Sequence, residues 1–179
     1  MWQIVILAVM ISLTGYYSLV DEKVVPIAQD VNARNLATSM GVYRQAVINY
    51  ASDKTHSTEI NMSVNPSEKF PTGYTTSSAA LWTNYVDGNG IIYIFPAAPL
   101  PVNITSEIVA LSQNSILAGE SNSTGDALIA PADPHPPRRW INNDQDIPLA
   151  KDYLGSTPIP LPPAAAIPAN SAIWLALRN

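Results

Sequence analysis

The chain has 179 residues, no cysteine and a net charge of −5, with nine Lys and Arg against fourteen Asp and Glu. So few basic residues cannot supply the surface that neutralises nucleic-acid phosphates, and no nucleic-acid partner is expected. The absence of cysteine excludes a disulfide framework, a thiolate metal site, a cysteine nucleophile and a lipid-modified cysteine, and the length leaves room for one anchor and one modest domain.

No charged residue occurs from Trp2 to Val20. At ~1.5 Å per residue a helix of this run spans roughly 28 Å, close to the hydrocarbon thickness of a bilayer. Residues 1–20 are therefore expected to form a transmembrane anchor, with Trp2, Ile4, Leu7, Met10, Ile11, Leu13, Tyr16 and Tyr17 facing lipid or its interface. A buried core helix is the alternative. No basic residue precedes the run and no small-x-small cleavage site closes it, so the anchor reads as uncleaved. The charge bias across it is too slight to set orientation. The Asn-, Ser- and Thr-rich remainder is expected outside the cytoplasm.

Asp21, Glu22 and Lys23 form a charged collar, and Pro26 suits either the first turn of a new helix or a kink in a continuous one. Beyond it Ala33, Leu36 or Ala37, Met40, Tyr43, Val47 and Tyr50 recur every three or four residues. That period predicts an amphipathic spine helix within residues 21–55, packing through Leu36, Met40, Tyr43, Val47 and Tyr50. Gln29, Asn32, Asn35, Arg44 and Asn49 fall on the opposite face, and Gly41 costs the helix roughly 1 kcal/mol.

Residues 52–79 are polar and aperiodic, which predicts loop with short extended pieces. Residues 81–86 and 91–95 are rich in aromatic and β-branched side chains and flank Asp87-Gly88-Asn89-Gly90, a hairpin signature. Pro96, Pro99 and Pro101 should stop the second strand. A helix is predicted from Ser106 to Ala118, capped by Thr105 or Ser106 and closed by Gly119. Ten of the sixteen prolines lie between Pro131 and Pro168, so regular structure there must be short, and Ile173 to Leu177 reads as a terminal strand. The expected class is α+β: a transmembrane helix continuing into an amphipathic helix, packed on a small antiparallel sheet within residues 56–179, with proline-rich loops over 131–168.

The chemical inventory is thin. His56 and His135 are not at metal-ligand spacing, and no GxSxG, SxxK or glycine-rich phosphate loop occurs. Glu107, Glu120, Asp126, Asp144 and Asp146 leave a carboxylate pair as an alternative, and the polar cluster from Asn142 to Asp146 reads as a turn rather than a cation loop. No catalytic residue, metal ligand or cofactor is assigned.

An apolar anchor running into an amphipathic helix and then a small mixed domain is similar to the type IV pilin architecture. Over Ala33-Arg34-Asn35-Leu36-Ala37-Thr38-Ser39-Met40 and Tyr43-Arg44-Gln45-Ala46-Val47, after an anchor containing Thr14-Gly15-Tyr16, the chain resembles the PilM family of type IVb, conjugative thin pilus biogenesis. The resemblance implies a non-enzymatic component of the pilus assembly apparatus or basal body. It would sit in the bacterial inner membrane as a single-pass protein with its C-terminal domain in the periplasm. Its partners would be the membrane and other pilus-assembly proteins or pilins, met through the hairpin or the proline-rich segments; homo-oligomerisation stays open. Position 5 is Val5, where processed pilins carry glutamate, so entry into the fibre as a minor pilin or pseudopilin-like subunit ranks second. An anchored cell-wall hydrolase ranks third.

Overall fold

The computed structural model describes residues 28–56, 58–131 and 158–178. The predicted anchor, with Trp2, Ile4, Leu7, Met10, Ile11, Leu13, Tyr16 and Tyr17, lies outside them, as do His135, Asp144 and Asp146. Among the described residues no helix is long and apolar enough to cross a membrane.

Helix α1 covers residues 28–51. It lies on one face of an antiparallel sheet made of β1 (Trp82–Val86), β2 (Ile91–Pro96), β3 (Ala118–Ser121), β4 (Ala127–Ile129), β5 (Ile159–Pro160) and β6 (Ala172–Leu177). The strand order is β1-β2-β6-β3-β4-β5, so the C-terminal strand fills the middle of the sheet. The fold is α+β with a small antiparallel sheet.

Successive side chains of a strand point to opposite faces, and β2 is buried at every position because both faces are covered. Ile92 and Ile94 join Trp82, Val86, Trp174 and Ala176 beneath α1. Ile91, Tyr93 and Phe95 join Ile173 and Leu175 on the other side, where Ile159, Leu161, Ala165 and Ile167 close the second core. The described part of the proline-rich segment thus contributes apolar cover. Each such large side chain, fully buried, contributes about 1.5–3 kcal/mol.

The hairpin turns where the residue types require it. Asp87 Oδ1 accepts from the backbone N–H of Asn89 (2.9 Å) and of Ile91 (2.8 Å), and Gly90 alone in the turn takes a positive φ, +79°. Strand β2 extends to Pro96, one residue past the predicted end, at a position beyond the β2–β6 ladder, which closes at Ile94–Trp174. Pro160 sits in β5, at the edge of the sheet, where a missing N–H is tolerated.

The helix predicted over 106–118 is shorter and capped differently. Helix α3 spans Thr105–Leu111, and the N–H of Thr105 is taken by Asn103 Oδ1 at 2.8 Å, not by a threonine or serine cap. Gln113 and Asn114, both with φ of 57°, end it, and Ala118 already belongs to β3. Gly119 is mid-strand rather than a helix stop. A Cβ there would collide with the carbonyl oxygen of Ile129, so glycine lets β3 and β4 approach. Residues 52–79 hold 3-10 turns at Lys54–His56 and Ser67–Lys69 and a short helix α2 (Thr76–Ala79).

Candidate interaction surface

Of the predicted packing face, Met40, Tyr43 and Val47 are buried in the helix-side core, and Leu36 and Tyr50 pack half-buried against it. Ala33, Ala37, Ile48 and Ala51 belong to the same cluster. Residues 66–79 wrap over α1: the Tyr74 hydroxyl donates to Ser39 O (3.1 Å), and Phe70 bridges the rings of Tyr43 and Tyr74.

Two polar side chains tie these layers together: Asn84, which the sequence does not single out, and Arg44, which its spacing assigns to the polar face of the helix. Asn84, on the helix-side face of edge strand β1, is only 2% exposed. Its Oδ1 accepts from Val64 N–H (2.9 Å), and its Nδ2 donates to Val64 O and to the Tyr43 hydroxyl, both at 2.8 Å. The side-chain amide thereby stands in for a ladder pair beside the Met62–Val86 bridge and closes this edge of the sheet. Burial raises the Tyr43 pKa, and the bond from Asn84 partly opposes that shift.

Arg44 turns inward, not onto the polar face that the helical period predicts. Its Nε–H donates to the Leu175 carbonyl at 3.0 Å, and its guanidinium lies 5.0 Å above the Trp174 ring. Burial lowers its pKa to about 10, so it remains a cation near neutrality. Its position four residues after Met40 and three before Val47 puts it on the border of the apolar stripe, which was the available signal.

Beyond the C-terminal end of α1 lies a charged corner. The His56 ring stacks on Tyr50 with centroids 3.8 Å apart, its Nδ1 is 2.8 Å from Glu59 and its Nε2 3.7 Å from Glu68. Lys69 pairs with Asp53 at 3.1 Å and with Glu68 at 3.3 Å, and Arg178 donates to the His56 carbonyl at 2.6 Å. Hydrogen bonds from the Thr55 backbone and hydroxyl, then from Lys69, bring the Asp53 pKa from 3.8 to about 2. A depressed carboxylate stabilises the fold above its unfolded pKa and loses that contribution as pH falls through the folded value. The corner should therefore weaken between pH 3.8 and about 2. Thermal melts are expected to show a shallower fall across that window in Asp53→Asn than in the parent; equal slopes would remove Asp53 from the account.

The hairpin and the proline-rich segment meet at a groove of about 430 Å³, lined in part by Met62, Thr83, Tyr85, Pro96, Ala164 and Pro168. A smaller cavity of about 220 Å³ adjoins it through Pro96 and Pro168. Among the described residues no charged side chain lines either one, and Met62 is 47% exposed at the wall.

The acidic residues considered for catalysis serve local roles where they are described. Glu107 lies 3.6 Å from Arg34, and Asp126 Oδ1 accepts from Asn122 (2.6 Å) and Thr124 (2.7 Å) inside a turn. Glu120 is a β3 residue paired with Ile129 and Ala172. Among the described residues no cluster of three His, Cys, Asp or Glu side chains could hold a metal.

A long helix packed along an antiparallel sheet, with an uncharged groove on the opposite side, defines an α+β domain that offers surfaces for contact. The chain belongs to the PilM family, whose model matches residues 9–175. Membership gives it a pilus-related role, with other pilus-assembly proteins as partners. No curated protein and no solved structure matches the chain.

Proposed function

We propose that the chain is an inner-membrane-anchored component of a type IVb pilus assembly apparatus or basal body, of the conjugative thin-pilus kind, acting through protein contacts rather than catalysis. Residues 1–20 hold it in the membrane, α1 is stalk and spine, and the sheet domain meets its partners on the periplasmic side. The observation that carries this reading is the family match over residues 9–175, combined with the uncharged run from Trp2 to Val20 just ahead of α1. The groove between hairpin and proline-rich segment supplies a contact surface of the expected kind.

A minor pilin is the second reading, favoured by α1 lying lengthwise on an antiparallel sheet. Intact chain recovered in sheared, purified pili would select it. For the leading reading, removal of residues 1–22 is expected to leave a folded domain that no longer supports pilus assembly when exported. Normal piliation by that truncation would show that anchoring is dispensable.

A further inference from the structure

The charged corner beyond α1 holds a histidine whose two ring nitrogens face carboxylates from two different segments. Nδ1 of His56 lies 2.8 Å from Glu59 Oε1, which also accepts from the Tyr50 hydroxyl at 3.4 Å, and Nε2 lies 3.7 Å from Glu68 Oε1. The stack on Tyr50 fixes the ring in this orientation. Two cations share the corner: Lys69, between Asp53 and Glu68, and Arg178, which donates to the His56 carbonyl. Lys54, on the same turn as His56, is exposed. Three carboxylates, those of Asp53, Glu59 and Glu68, thus meet two fixed cations, and a proton on His56 brings the contacting charges into balance.

A neutral imidazole carries one ring hydrogen. At 2.8 Å from an oxygen that can only accept, that hydrogen belongs on Nδ1, which leaves the Nε2 lone pair facing the Glu68 carboxylate. Glu59 stays ionised throughout the range in which histidine changes charge, its carboxyl held below the usual value first by the bond from His56. We propose that His56 is a proton-operated clasp: protonated, it grips Glu59 and Glu68 together and holds residues 66–74 on α1, and neutral, it keeps Glu59 and releases Glu68. Glu68 transmits the change because it lies in the turn Ser67–Lys69, which leads directly into Phe70 and Tyr74, the rings that seat this strap on the helix. The contact with Glu68 belongs to the protonated ring, so its contribution is present at the acid end of the range and lost as pH rises through it. The Asp53 contribution runs the other way and falls only below pH 3.8, so the two do not overlap. Glu68 is more than half exposed, and water screens the pair, so the clasp shifts a local opening of the strap rather than the stability of the whole fold.

The clasp acts on the domain's own packing and is independent of the anchoring reading, which the truncation tests. The experiment is an NMR titration of the full chain in detergent micelles from pH 5 to 8, following the His56 ring protons, the Glu68 and Phe70 amides, and hydrogen exchange of the Lys69 N–H, which donates to Pro66 O at 2.9 Å. The two amides are expected to move with the same midpoint as the His56 ring. Exchange at Lys69, corrected for its intrinsic pH dependence, should be about two- to fivefold faster at pH 8 than at pH 5.5. In E68Q the ring should still titrate while the strap response is lost, and in H56Q, which keeps His135, the strap should be insensitive to pH over this range. If H56Q does not fold, the parent and E68Q decide, since Glu68 is exposed. A strap that stays unchanged while the His56 ring titrates, an equal response in E68Q, or a response persisting in folded H56Q each overturns the proposal.

Discussion

Replacing Asn84 by alanine is expected to cost about 2–4 kcal/mol, one of the two largest effects of a single substitution anticipated in this fold. The amide is buried and makes three hydrogen bonds; its loss leaves the N–H and C=O of Val64 and the hydroxyl of Tyr43 without these partners. An unpaired buried group costs more than a made bond contributes, which is why the damage exceeds a simple count of contacts. Tyr43→Phe removes one of the three bonds and should cost only about 1 kcal/mol. Urea denaturation monitored by circular dichroism reads both. A midpoint for Asn84→Ala within error of the parent would mean that the segment around Val64 is not held by this amide.

Gly119→Ala is the second. The new methyl would meet the Ile129 carbonyl oxygen, a backbone atom that cannot rotate away, and would also come within 3.2 Å of Leu128 Cδ1. Strands β3 and β4 share only the Glu120–Ile129 and Ser121–Leu128 pairs, so separating them to make space breaks most of that ladder. The expected cost is about 2–4 kcal/mol, with amide protection lost first in β4. Gly41→Ala is the contrast. Its Cβ would lie 3.5 Å from Trp174, an ordinary contact, and the helix gains up to about 1 kcal/mol of propensity. Chemical denaturation of the pair should move in opposite directions; a neutral Gly119→Ala would contradict the close approach of β3 and β4.

What could be read in advance followed local signals. The spine helix carries a strong 3.6-residue period, and the hairpin joins two β-rich runs across a turn whose Asp and Gly types do what such residues do in isolation. The errors lie where tertiary contact decides. Gly119 has the residue type of a helix stop and sits at the right distance from Glu107, yet its role is set by Ile129, ten positions away. Strands β3, β4 and β5 have four, three and two residues, too short to show an alternating pattern.

Polar residues placed inward are the other blind spot. Asn84 lies between Trp82 and Tyr85 and looks like a strand's solvent-facing residue, and Arg44 looks like the wet side of an amphipathic helix. Their partners, Val64 and Leu175, are backbone atoms far along the chain, at sequence separations of 20 and 131. No composition or period encodes such a pairing. Both residues hold the domain together.

The central claim is that a membrane anchor presents this domain to pilus partners outside the cytoplasm. The most direct measurement is protease accessibility of a C-terminally tagged full chain in spheroplasts, with the membrane and soluble fractions separated beforehand. The account predicts full-length chain in the inner-membrane fraction whose tag is removed by added protease while cytoplasmic markers survive. A tag protected in intact spheroplasts, or a chain recovered only in the soluble fraction, would contradict it.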